Sequence, residues 1–198
     1  MRIACALLLS CAVAGCASKG SEAAERVTDT TARRDSIAAV AASSLSESNV
    51  VSLLEQTHAA DSALGALGAT KGTSADVKEF GRMILREHHA LHKDAADVAQ
   101  QLGITPELAS VAPDDAPAED RERVNAGSPG VGWDRDYIDY ALAMHQAAME
   151  NTARALAATN RPEIKQFIDK TVPILQKHID KARSLRKSLP KMQDTTAK

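Results

Sequence analysis

Four histidines, His58, His88, His145 and His178, stand among apolar neighbours at helical spacing in a chain of 198 residues. Asp61 follows His58 by three residues, so both can share one helix face. A buried imidazole with no partner is costly, and several in one layer need a common cause. One cause is a transition metal ion. Neutral imidazoles and a carboxylate from different helices suit zinc, copper, iron or nickel. Met149, four residues after His145, and Met144, just before it, lean the set towards copper. The other cause is a polar layer in which the histidines, Asp61, Thr57 and tyrosine hydroxyls satisfy one another around a water.

Other chemistries find weaker support. Glu55-Gln-Thr-His58 is a lone E-x-x-H, whereas a di-iron bundle wants one on each of two helices. The residues three before His88, His145 and His178 are Leu85, Leu142 and Leu175. Glu87-His88-His89 is not the zinc-protease H-E-x-x-H, and no G-x-S-x-G elbow exists. Cys5, Cys11 and Cys16 all lie in the first 16 residues, so the body has no cysteine nucleophile or ligand. The sequence therefore leans away from an enzyme. A formal net charge of −2 argues against nucleic acid as a partner.

The elements that must carry these residues are helical. The chain is 44% hydrophobic but only 3% aromatic, poor material for a β-sandwich or barrel. Helix one is predicted over 49–70, with a stripe of Val51, Leu54, His58, Asp61, Gly65 and Gly68. Helix two follows a Ser74 cap and runs to about 102, with Val77, Gly81, Ile84, His88, Leu91, Ala95, Val98 and Leu102 inward. Gly103 is its stop. Helix three starts near Asp134, a natural cap, with Ile138, Leu142, His145, Met149, Thr152 and Leu156 inward. Helix four opens on Pro162 and ends near 189. It turns Ile164, Ile168, Thr171, Leu175, His178, Ala182 and Leu185 inward, and Pro173 should kink it.

Four such stripes must pack against one another, so the fold is all-α, a four-helix bundle. Each histidine lies about 12 to 16 residues from the short link of its own hairpin, which predicts a common mid-bundle height. The link from Gly103 to Trp133 is long enough to run the whole bundle. Helices two and three can then be parallel, and 116–124 suggests a short helix within the link. The basic run Lys177, Lys181, Arg183, Arg186, Lys187 and Lys191 solvates the last helix and complements its dipole.

The N-terminus reads as an address. Met1-Arg2 and an apolar run from Ile3 to Ala14 have the shape of an export signal, too short to span a bilayer. The run ends in Val13-Ala14-Gly15-Cys16, which resembles the lipobox of bacterial lipoproteins, with Val where Leu is usual. The resemblance implies a signal peptide over 1–15 and a lipid on Cys16. Ala17 and Ser18, rather than Asp, follow the cysteine. That favours the outer membrane of a bacterial envelope, facing the periplasm, with the lipid as the membrane contact. Residues 16–46 read as a flexible tether, 47–189 as the helical domain and 190–198 as a polar tail.

Several motifs coincide in order with one exported bacterial family. They are Leu45-Ser-Glu-Ser-Asn-Val-Val51, Val77-Lys-Glu-Phe-Gly-Arg-Met83 before His88, and Trp133-Asp-Arg-Asp-Tyr137. His145 follows, then Val172-Pro-Ile-Leu-Gln-Lys-His178. Over about 45–189 the chain resembles the domain of unknown function 4142 family. That resemblance implies a ferritin-like four-helix bundle with the long link between helices two and three. It further implies that His88, His145 and His178 are the family's own histidines, that Asp61 stands where the family has Glu, and that Asp134, Arg135 and Tyr137 anchor the start of helix three. It supplies no activity. The run Met144-His-Gln-Ala-Ala-Met149 is similar, over a short stretch, to a different exported helical family associated with copper handling. The expected function is a non-catalytic binding or stress-related module with a mid-core metal site. The alternatives are metal storage or metal-dependent activity, and a periplasmic scaffold.

Overall fold

A computed structural model describes residues 45–108 and 116–190. The signal peptide, nearly all of the tether, and residues 191–198 of the tail lie outside the described residues. Among the described residues there are five helices: α1 Glu47–Lys71, α2 Ala75–Leu102, α3 Ala118–Ala126, α4 Val131–Ala158 and α5 Pro162–Ser188. Among the described residues there is no strand, and no helix is long and apolar enough to cross a membrane. α1, α2, α4 and α5 are the four expected bundle helices, and α3 is the short helix within the link.

The ends are set by local chemistry. Ser46 and Asn49 form a reciprocal capping box at the start of α1. Ser74 accepts from the Val77 amide and caps α2, as its sequence predicts. Gly103, at φ 65°, takes the left-handed conformation that ends α2, and the Ile104 amide reaches back to the Ala99 carbonyl. α5 begins on Pro162 and continues through Pro173.

Cross-helix contacts give the helix directions. Leu64 meets Tyr137 and Thr57 meets Asn151, so α1 and α4 are antiparallel. Asp94 meets Lys170 and Glu87 meets Lys177, so α2 and α5 are antiparallel. Each hairpin is antiparallel by its short turn, which leaves α2 parallel to α4. The connection therefore has to climb the bundle. It leaves beside α1's start, where the Glu107 amide donates to Ser48, and arrives near α1's end, where Lys71 donates to the Val124 and Asn125 carbonyls.

α1 and α2 touch backbone to backbone. A Cβ on Gly65 would lie 2.3 Å from the Leu85 nitrogen, and one on Gly81 would lie 2.3 Å from the Ala69 nitrogen. Any side chain at either position would push the two helices apart. That contact brings the α1 histidine within reach of the α2 histidine.

Most expected inward positions are buried, with one shift of register. On α4 the core face is Tyr137, Ile138, Ala141, His145, Ala148, Thr152 and Ala155. Leu142 and Met149 are half-buried and Leu156 is exposed. Ile138, His145 and Thr152 stay buried, while the row Leu142, Met149 and Leu156 lies at the edge of that face, whose inward positions are taken by Ala141, Ala148 and Ala155. Val98 and Leu102 on α2 are likewise half-buried.

Asp134 is not the N-cap of α4. The helix begins one turn earlier, with Gly130 at the cap position. The Asp134 carboxylate instead accepts the amides of Thr73 at 2.7 Å and Ser74 at 2.8 Å, in the turn between α1 and α2. A carboxylate there also faces the positive end of α2. Its neighbours brace other helices. Arg135 donates to the Leu189 and Pro190 carbonyls past the end of α5. The Tyr137 hydroxyl donates to the Leu64 carbonyl of α1, and its ring stacks on Trp133 at 5.1 Å. The three motif residues thus tie the start of α4 to all three other bundle helices.

Candidate metal centre

The four helices each deliver one histidine to the same layer. His58, His88, His145 and His178 are all fully buried, and so is Asp61. Their positions follow from the inward stripes of α1, α2, α4 and α5. His88 Nε2 and His145 Nε2 each lie 3.1 Å from His178 Nδ1. On the other side of the His88 ring, Nδ1 lies 3.2 Å from His58 Nδ1 and 3.4 Å from Asp61 Oδ2.

Proton bookkeeping constrains these rings. A carbonyl oxygen only accepts, and His145 Nδ1 sits 2.7 Å from the Ala141 carbonyl, so that nitrogen carries the hydrogen. A carboxylate only accepts, and His178 Nε2 sits 2.9 Å from Glu87 Oε2, so that nitrogen carries the hydrogen too. Neutral His145 then presents a lone pair at Nε2, and neutral His178 presents one at Nδ1, 3.1 Å away. His88 can donate from Nε2 to His178, or from Nδ1 towards Asp61, but not both while neutral. While Glu87 stays a carboxylate against His178 Nε2, neutral His145 and His178 keep this lone-pair contact, and a cation between them relieves it.

Burial disfavours the charged form of every ring. It pushes His145 down to about 3, with His178 adding to the effect and the Ala141 carbonyl opposing it. It pushes His58 down to about 4, helped by His92. His88 is lowered by burial and by its three histidine neighbours. His178 is also lowered by burial, although Glu87 opposes the shift. Burial would raise Glu87, but the Lys177 ammonium and His178 outweigh it and hold the carboxyl below its ordinary value.

The donor set fits a metal ion. His88, His145 and His178 each offer one nitrogen within 4.8 Å of the others, and so do His58, Asp61 and His88 with a nitrogen or a carboxylate oxygen. Tetrahedral coordination at about 2.0–2.1 Å per nitrogen sets neighbouring nitrogens roughly 3.3 Å apart. The observed 3.1 Å separations need only a few tenths of an ångström of opening. Outer partners complete the pattern: Ala141 and Glu87 hold the far nitrogens of His145 and His178, as carboxylates and carbonyls do for metal-bound histidines.

All five residues singled out as ligands thus meet in one place, but as two groups that share His88. Met144 packs with Leu64 and Tyr140 in an apolar cluster and lines a cleft with residues of α1 and α3. Met149 is half-buried. Sequence reasoning passed over Glu87. It stands just before His88 on a face that looks solvated, and only the antiparallel packing of α2 on α5 sets it against His178. It is a partly exposed member of the cluster, paired with Lys177 at 2.5 Å. The rest of the basic run acts as a solvated face: Arg183 pairs with Asp180 and Arg186 with Asp139, while Lys191 lies outside the described residues.

No curated protein and no solved structure matches the chain. The family model described as domain of unknown function (DUF4142) matches residues 32–185, a span that holds every helix of the bundle except the last turn of α5 and carries all five candidate ligands. With its four-helix core and its histidines in the order the resemblance implied, the chain belongs to that family.

Proposed function

We propose that this protein is a non-catalytic metal-binding module of the bacterial envelope, with His88, His145 and His178 as ligands to one transition metal ion. The observation that carries this reading is the facing pair of lone pairs on His145 and His178, with His88 Nε2 at the same 3.1 Å from His178 Nδ1. Three imidazole nitrogens favour zinc or copper over magnesium or calcium, which want oxygen. The ion would supply positive charge and a fixed geometry to a layer that otherwise holds none. All three ligand side chains are fully buried, which suits storage, sensing or structural binding better than turnover of a substrate.

A proton on His178 Nδ1 is the competing cation. The Glu87 contact favours it, and burial opposes it. Metal analysis of untagged protein separates the two. We expect at least one zinc or copper ion per chain and a raised melting temperature. At a free-metal excess of about 100 Kd the stabilisation is about 2.7 kcal/mol. His145→Ala should weaken binding by about a hundredfold or more, because one of three ligands is gone. No stoichiometric metal after challenge with copper, zinc, iron and nickel would leave the proton reading in its place.

The location rests on the Cys16 motif. We read the chain as lipid-anchored, with its bundle in the periplasm. Labelled palmitate should attach to the wild type and not to Cys16→Ser. Equal labelling of both would remove the anchor from this reading.

A further inference from the structure

We infer that the cluster is a two-ion site, with His88 as the bridging ligand between adjacent metals. The inference rests on the metal reading of His88, His145 and His178 and adds a second ion held by His58, Asp61 and His88.

Three observations carry it. First, the donors fall into two groups, not one. His88 Nε2 faces His178 and His145, whereas His88 Nδ1 faces His58 Nδ1 at 3.2 Å and Asp61 Oδ2 at 3.4 Å. The two nitrogens of an imidazole point to opposite sides of the ring, so one ion cannot be bound by both. Second, the His58–His88 spacing of 3.2 Å is close to the 3.1 Å within the first group and to the roughly 3.3 Å that a tetrahedral ion sets between nitrogens. Third, Asp61 is a carboxylate in a fully buried layer of imidazoles. A group of that charge at that depth fits a cation beside it, and two histidines with one carboxylate form a common ligand set that keeps positions open for water or a small ligand.

The two groups also differ in what holds their far ring nitrogens. His145 and His178 have their far nitrogens held by the Ala141 carbonyl and Glu87. His58 Nε2 has no hydrogen-bond partner among the described residues, and its ring meets Phe167 edge-on at 5.7 Å. Outer-shell partners tune affinity by about 10- to 100-fold, so the first ion binds more tightly than the second. For the second ion to bind, His88 gives up its remaining ring proton to the buffer and forms an Nδ1–metal bond. His58 stays neutral, and Asp61 binds as the carboxylate.

Titration of the full chain with Zn²⁺ or Cu²⁺ alone, read by native mass spectrometry and calorimetry, tests this. Two ions per chain are expected, the second bound about 10- to 100-fold more weakly than the first. His58→Ala and Asp61→Asn should each bind a single ion, at the three-histidine site. With two Cu²⁺ bound, the bridged pair should show a magnetically coupled spectrum that His58→Ala converts to that of an isolated ion. A wild type that takes up a single ion overturns the bridge and leaves the three-histidine site standing. A wild type that takes up none overturns both.

Discussion

Acidifying the metal-free protein from pH 7 to pH 5 is expected to destabilise it by about 6 kcal/mol. His58, His88 and His145 are held neutral in the core, at about 4 for His58 and about 3 for His145, with His88 also lowered. In the unfolded chain each returns to about 6.5. Folded values below unfolded values mean that the unfolded state binds more protons between them. Stability is then complete above about pH 6.5 and is lost as pH falls towards the folded values. Each proton is worth about 1.4 kcal/mol per pH unit, so three histidines together cost about 4 kcal/mol per unit once all are protonated in the unfolded chain. Domains of this kind have only about 5–15 kcal/mol to lose. Urea midpoints measured at pH 7, 6 and 5 without metal should fall steeply below pH 6.5 and stay flat above it. An unchanged midpoint at pH 5 would mean that the histidines are not held neutral by the fold.

Asp134→Ala is expected to destabilise the protein by about 3 kcal/mol, although Asp134 contacts no ligand. Its carboxylate accepts two amides, from Thr73 and Ser74, and hydrogen bonds to a charged group are worth about 1.5–3 kcal/mol each. Part of this is recovered, because Thr73 is exposed and its amide can turn to water. The charge also faces the start of α2, which adds up to about 1 kcal/mol. Asp134→Asn keeps one acceptor and should lose roughly half as much. The urea midpoint should drop with no change in slope, and the metal stoichiometry should persist, since the histidine layer lies mid-bundle. A loss below about 1 kcal/mol would show that the α1–α2 turn holds without Asp134.

Periodicity is a local property, and that explains which features were legible. The stripes on α1, α2 and α5 could be read because apolar residues and histidines recur every three or four positions there. The same pattern supplied His58, His88, His145 and His178 as a layer. On α4 the pattern misled at Leu142, Met149 and Leu156, because small alanines, which carry little hydrophobic signal, form the true inward face. The copper-leaning thioethers were drawn from that misplaced stripe and from Met144, which belongs to an apolar cluster. Asp134 looked like a cap because Asp before an apolar run usually is one. Its partners lie 60 and 61 residues away, and no local rule reaches that far.

The chain by itself determined four amphipathic helices, their turns, the family and the histidines that face inward, since each follows from residue type and short-range spacing. Only the tertiary structure decided what those histidines do to one another. Which nitrogen faces which depends on how far apart the helices pack, and Gly65 and Gly81 set that distance for α1 and α2 by letting backbone meet backbone. Which nitrogen carries a hydrogen depends on Glu87 and the Ala141 carbonyl, one on a neighbouring helix and one a turn away. Ring orientation and proton placement are properties of the packed core, and they turn four separate histidines into two facing sets of donors around His88.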